Sequence, residues 1–390
     1  MTELYPDRDY LIDGTGVLRI LLMGDASNYH NALATGLRRL GHDVVLASHG
    51  SGWMETERDI DLSRPFQGKL GGMALYLNMR AHFMKLFSGY DVVSLSCQSF
   101  VHLRPGRKQV IFDLLRKHNR SVFYTALGTD SGFVQECLDP ATPLRYNDFR
   151  IFGEKSPHAV EQPLIENEWL SPQNVDFFQH VISNVDGAMT CLWEYDVAMQ
   201  RFLPREKILP GAIPIDTKSI QAVEMPDRVG KVRLFLGRHR DRILLKGTDV
   251  LEVAARTVVD RYPGKAELVL VENRPYNEYI ELLRSAHVVL DQIYSYTPAT
   301  NALLAMAMGL NTVSGGAPEY YRHIGEETLR PVIHVEPDYE SVYKALEETV
   351  LHPELIRPRG KQGRELVEKH NACEKVAADN VAFWRSRLLP

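Results

Sequence analysis

The stretch Val288-Val-Leu-Asp-Gln-Ile-Tyr-Ser-Tyr-Thr-Pro-Ala-Thr-Asn-Ala-Leu-Leu-Ala-Met-Ala-Met-Gly-Leu-Asn-Thr-Val-Ser-Gly-Gly-Ala-Pro-Glu319 reads as strand, loop, helix, strand, loop. A β-rich run to Leu290 meets a loop carrying Pro298, an Ala/Leu/Met helix follows and stops at Gly309, and a second strand enters Gly315-Gly316. This is a βαβ unit with a ligand loop at the carboxyl end of each strand. Ala302, Ala305 and Ala307 are small enough for the helix to lie close on a parallel sheet. The turn before it aims free backbone N–H groups outward, where anions bind.

The same alternation recurs on the amino-terminal side. Val17-Leu-Arg-Ile-Leu-Leu-Met23 is a β-run closed by Gly24, residues 31–40 carry apolar side chains at helical spacing, and Gly41-His-Asp-Val-Val-Leu-Ala47 makes the next strand. Further strands are expected at 92–95, 121–125 and 188–190, separated by stretches long enough for crossover helices. After residue 216 a polar stretch with Pro226 and Gly230 reads as a linker, and Val232-Arg-Leu-Phe-Leu-Gly237 restarts the pattern. Strands are expected there at 232–236, 267–271, 288–291, 312–314 and 332–335. A chain of 390 residues exceeds what one core usually supports. The expected class is therefore α/β with two Rossmann-like doubly wound domains, 1–217 and 231–371, joined by a linker at 218–230, with an amphipathic last segment at 372–390.

An apolar fraction of 44% suffices for both cores, and a net charge of −5 argues against a nucleic-acid partner. Cys97, Cys137, Cys191 and Cys373 form no Cys-x-x-Cys pair and have no His at zinc spacing, which points to a reducing cytoplasm. Met1 is followed by acidic and polar residues, and no run approaches the ~20 apolar residues that span a bilayer. A cytoplasmic protein is expected, with peripheral contact at the inner membrane face as the alternative placement. No Gly-x-Gly-x-x-Gly follows the first strand, so no nicotinamide cofactor is expected. Gly128-Thr-Asp-Ser-Gly132 has its serine one place off the nucleophile elbow, and neither a Walker loop nor a His-Glu-x-x-His zinc helix occurs. Asp7-Arg-Asp9 and Asp59-Ile-Asp61 read as solvated loop carboxylates, and no metal is expected.

Ala305-Met-Ala-Met-Gly309 resembles the end of the donor segment of GT-B glycosyltransferases, above all retaining glycosyltransferase family 4, where it reads Glu-Ala-Met-Ala-x-Gly. Gly237-Arg238 followed by Lys246-Gly247, Gly315-Gly-Ala-Pro-Glu319 and Gly128-Thr129-Asp130 are similar to further elements of that family. Tyr296 and Leu304 stand where the family has two glutamates, and Leu127 where it has a histidine. The resemblance implies two domains facing a cleft, with the last helix crossing back to the first.

It also implies roles. Arg238 and Lys246 would neutralise the donor diphosphate as the sugar–phosphate bond breaks, a task a fixed pair of cations can perform without a metal. Arg240 and Arg242, in a loop longer than the family's, are open as stand-ins, and a solvated basic loop is the plain alternative. Gly237, the backbone at Ala299, Thr300 and Asn301, and the Tyr296 position complete the donor site, with Glu272 beside the nucleobase; Thr300 can instead simply cap its helix. Asp291, Gln292 and Glu319 remain open as ribose partners. On the acceptor side stand Gly24, Asn28 and His30 after the first strand, and Gly128, Thr129 and Asp130, the last as a base or a sugar-hydroxyl contact. Helix capping by Asp25 or Ser27, and a loop-capping role for Asp130, explain the same letters without function. The implied activity is transfer of a sugar from a nucleoside-diphosphate sugar to a glycan or lipid-linked acceptor, with retention and no cofactor besides the donor substrate. The alternatives are a noncatalytic relative that binds sugar, nucleotide or a partner enzyme, and an epimerase, for which no acid–base pair is evident.

Overall fold

The computed structural model describes residues 16–50 and 56–388; Asp7-Arg-Asp9 lies outside them. The strands are β1 (Arg19–Met23), β2 (Asp43–Ser48), β3 (Ile60–Asp61), β4 (Val92–Ser96), β5 (Ser121–Ala126), a hairpin of β6 (Arg150–Ile151) and β7 (Glu154–Lys155), β8 (Gly187–Thr190) and β9 (Ile208–Pro210). They continue with β10 (Val232–Arg238), β11 (Ala266–Glu272), β12 (Val288–Leu290), β13 (Asn311–Ser314) and β14 (Ile333–His334). Among the described residues they form a parallel sheet in the order β3-β2-β1-β4-β5-β8-β9, a second parallel sheet in the order β11-β10-β12-β13-β14, and the hairpin. Strands such as β4 and β5 are buried on both faces, as parallel strands under crossover helices must be. The chain reverses direction across the sheet between β1 and β4, and again between β10 and β12. At such a switch point the loops part and leave a crevice above the carboxyl ends.

The strands expected from apolar runs are present, shifted at their ends by a residue or two. β3, β9 and the hairpin were not expected. Each is two or three residues long, too short to carry a period.

The last helix, Cys373–Arg387, crosses back to lie against the helix Tyr29–Arg39 of the first sheet. Gly36 makes this possible. A Cβ there would come within 2.1 Å of the Cys373 carbonyl oxygen. Arg39 bonds both Asp216 and Glu374, and Trp384, fully buried, packs against Phe123 with ring centroids 6.1 Å apart. The outgoing and returning chain segments run side by side: Ile215 N–H donates to Asn371 O at 2.7 Å and Cys373 N–H to Ile215 O at 2.9 Å. Gly36→Ala is expected to lower stability by about 1–3 kcal/mol, since the clash is with backbone that cannot turn aside. A denaturant midpoint equal to that of the wild type would show that the crossing helix is not held here.

Candidate functional site

The carboxyl ends of the two sheets enclose a cavity of about 510 Å³. The first sheet contributes Asp25 to Ser27 after β1, Leu127 to Thr129 after β5, and Cys191, Leu192 and Glu194 after β8. The second contributes Arg242 and Lys246 after β10, Gln292 and Ser295 after β12, and Ala299, Thr300, Asn301 and Leu304.

Lys246 Nζ donates to Asp291 Oδ1 at 3.2 Å; the Asp291 side chain is fully buried and also accepts from Asn301 Nδ2 at 3.4 Å and Ser314 Oγ at 3.2 Å. Asn301 Oδ1 accepts in turn from Tyr279 Oη at 2.7 Å. This network fixes Lys246 at the cavity wall, beside the start of the helix Thr300–Ala307. The helix begins at Ala299 without a side-chain cap, so its first amide N–H groups lie at the cavity with no carbonyl one turn back to receive them. Arg242 is an exposed guanidinium on the same wall. Cations and a helix start therefore converge where an anion would sit.

Several expected site residues lie elsewhere. Arg238 does not line the cavity; its guanidinium is held by Glu252 and by Glu272, the latter at 2.7 Å. Glu272 also receives Arg240 at 2.5 Å, so the expected nucleobase carboxylate is spent on two arginines. Tyr276 and Tyr279 line the cavity. Gly237 lies beneath Tyr279, where a Cβ would come within 2.4 Å of the ring. Tyr296 is buried away from the cavity and stacks on Tyr146 with ring centroids 4.2 Å apart and planes 1° apart. Its contacts there join the two domains. Asp130 caps the helix Ser131–Leu138 through Phe133 N–H at 2.7 Å and accepts from Tyr124 Oη at 2.5 Å, and burial pushes its carboxyl up to about 6. It caps a helix where a loop cap was expected. His30 is fully buried, with Nδ1 2.7 Å from Gly24 O, and burial lowers its basicity. Gly24 packs on the Phe100 backbone with φ +78°, and Asn28 receives the Asn31 amide. Of the expected set, Lys246, Ala299, Thr300, Asn301, Gly128 and Thr129 line the cavity.

Two carboxylates were missed. Glu194, at the start of the helix after β8, is buried and binds the loop of the other domain: its Oε1 accepts from Ser295 Oγ and Tyr296 N–H at 2.6 Å each and from Thr297 N–H at 3.2 Å, and its Oε2 from Thr297 Oγ1 at 2.7 Å. Asp148, beside the hairpin, lines the cavity, and burial pushes its carboxyl up to about 7 against the attraction of Arg242, with Glu194 adding to the rise. Neither residue falls in a motif, and the segment between β5 and β8 carries no long-period pattern to place it. Because the folded-state value of Asp148 exceeds the unfolded value of about 3.9, its contribution to stability falls as pH rises from about 4 to 7. Asp148→Asn should therefore raise the melting temperature more at pH 8 than at pH 5. An equal change at both would remove the shift from this residue.

A second cavity of about 580 Å³ lies on the first domain, lined among others by Arg64, Gln67, Ser99, His102, Lys108 and Trp169. His49 lines both cavities and lies against His102 with ring centroids 3.8 Å apart. Burial pushes His102 down to about 4 and Lys108 down to about 8, and Lys108 Nζ donates to Gln98 O at 2.9 Å. Among the described residues no cluster of three or more His, Cys, Asp or Glu could hold a metal ion, and no helix is long and apolar enough to cross a membrane.

No family model and no curated protein matches the sequence. Solved structures do. Sucrose-phosphate synthase from Thermosynechococcus elongatus is similar over 94% of this chain and 98% of its own, at 14% identity and a TM-score of 0.60. HepE from Anabaena, in complex with UDP and glucose, covers 95% and 100% at 10% identity and 0.60. The catalytic domain of starch synthase IV from Arabidopsis thaliana, bound to ADP and acarbose, covers 96% and 100% at 9% identity and 0.60. The chain has the fold these structures share, two Rossmann-like domains about a cleft.

Proposed function

We propose that this GT-B chain binds a nucleoside-diphosphate sugar in the cavity between its domains and transfers the sugar, with retention, to a glycan or lipid-linked acceptor that enters through the second cavity. The observation that carries the reading is the convergence of Lys246, Arg242 and the start of the Thr300–Ala307 helix on one cavity at both switch points. Breaking the sugar–diphosphate bond places negative charge on the leaving oxygens. Fixed cations and N–H donors stabilise that charge more than they stabilise the bound donor, and need no metal to do so. Tyr276 and Tyr279 offer aromatic faces for the base. Two of the similar structures hold UDP with glucose and ADP with acarbose, which supports a nucleoside-diphosphate donor and a glycan acceptor. Retention and freedom from metal are carried over from the resemblance at Ala305-Met-Ala-Met-Gly309 and Lys246-Gly247.

Leu304 lines the cavity at a position where the resemblance places a glutamate, and a carboxylate there would suit the ribose hydroxyls. Leu304→Glu is expected to tighten nucleotide binding about tenfold, as a charged hydrogen bond to the ribose hydroxyls would, and to leave binding of the 2′,3′-dideoxynucleotide unchanged. Equal gains for both nucleotides would place the ribose elsewhere. Leu127 and Leu304 are both apolar cavity residues and favour one second reading, a protein that binds without turnover. Incubation with UDP-, ADP- and GDP-sugars and simple glycosides separates the two. Release of nucleoside diphosphate above the spontaneous rate supports transfer. Binding without release from any donor would establish the noncatalytic reading.

A further inference from the structure

We propose that the outer face of the helix Gly68–Ala81 docks on an anionic lipid bilayer. Leu70, Met73 and Leu77 recur there at helical spacing and are 78%, 41% and 57% exposed. Phe66, just before the helix, and Met84, in the short helix Phe83–Leu86, are further exposed apolar side chains, at 62% and 52%. The opposite face, with Gly71, Gly72, Leu75 and Met79, is the one packed on the first domain. A surface helix ordinarily turns polar side chains outward. This one presents aligned large apolar side chains to solvent, the mark of an interaction face.

Charge selects the occupant. Between Leu62 and Phe112 the chain carries Arg64, Lys69, Arg80, Lys85, Arg104, Arg107 and Lys108 against a single acidic residue, Asp91, in a protein whose net charge is −5. Asp91 is buried, whereas Arg64, Lys69, Arg80, Lys85 and Arg104 are exposed, Lys69 and Arg80 on the helix itself. Apolar side chains that enter the acyl boundary while flanking cations meet phosphate headgroups are how an amphipathic helix lies in an anionic membrane surface. Arg64 and Gln67 help line the second cavity, so docking by this face would bring headgroups to its mouth. That last consequence rests on the acceptor reading above; the docking does not.

The test is flotation of the purified full chain, without nucleotide, with vesicles of phosphatidylcholine alone or mixed with phosphatidylglycerol. Partition to the mixed vesicles should be at least about tenfold stronger and should weaken as salt rises. Leu70→Glu with Leu77→Glu should abolish it at an unchanged melting temperature, because both side chains project into solvent. Absence of partition at low salt, or equal partition by the double variant, would overturn the proposal. So would a wild-type dimer that the double variant converts to monomer, since the face would then belong to a second copy of the chain. Failure of the nucleotide reading leaves this result untouched, and the reverse also holds.

Discussion

Exchange of Lys246→Met together with Asp291→Asn is expected to weaken nucleoside-diphosphate binding by about 100-fold, the effect of removing a charge-assisted contact to phosphate in a partly enclosed site. The pair must be changed together. Lys246 Nζ sits on a carboxylate whose side chain is fully buried, and after Lys246→Met alone Asp291 would keep only the neutral donors Asn301 and Ser314. Stranding such a charge costs about 3–5 kcal/mol, so the single variant would confuse lost binding with lost folding. The double variant removes both charges and keeps the shape. Arg242→Ala, on an exposed side chain, should weaken binding about tenfold with the fold intact. Arg238→Ala should leave affinity alone, since that guanidinium already faces Glu252 and Glu272. Calorimetric titration of the four proteins checks the set; full affinity in the Lys246/Asp291 variant would end the assignment of the phosphate site.

Glu194→Ala should lower stability by about 3–5 kcal/mol, because the Tyr296 N–H and the Thr297 hydroxyl lose their acceptor at a buried contact between the domains, while Ser295 Oγ and Thr297 N–H keep only their bonds within the loop. Glu194→Gln should cost only about 1 kcal/mol. Its amide oxygen can take the Oε1 place and receive Ser295, Tyr296 and Thr297 N–H, while its NH₂ meets the Thr297 hydroxyl, which can accept. The same loop leads to Thr300, so the alanine variant should also lose nucleotide affinity. Chemical denaturation at neutral pH measures the difference between the variants. Equal losses for glutamine and alanine would mean that the carboxylate charge, and not its geometry, holds the loop.

The βαβ unit at 288–314 was legible because its apolar runs, its alanine-faced helix and Gly309 all report backbone geometry, which short-range rules govern. The helix start at Thr300 was legible for the same reason, since it follows a strand end and strand ends set the crevice; Lys246 came from the family resemblance alone, and it lines the same cavity. What the sequence hid was direction. Arg238 ends β10 and Arg242 follows four residues on, but Glu252 and Glu272, remote from them in sequence, draw the first away, and the second lines the cavity. Tyr296 occupies a position that the family resemblance assigns to the donor, yet its ring finds Tyr146 and Trp193 of the other domain. Glu194 and Asp148 gain their setting from burial and from partners across the cleft, which no local spacing reports. The exposed stripe on Gly68–Ala81 looks in sequence like an ordinary core-facing helix, because apolar residues occur on both sides and only the fold says which side is covered.

The most direct measurement is a crystal structure of the chain with the nucleoside diphosphate that binds it most tightly. The β-phosphate should lie within hydrogen-bond distance of Lys246 Nζ and of the amide N–H groups at Thr300 and Asn301, with Arg242 turned toward it and the base against Tyr276 or Tyr279. A phosphate held instead by Arg238 and Arg240, or a nucleotide bound outside the cleft, would contradict the site described here.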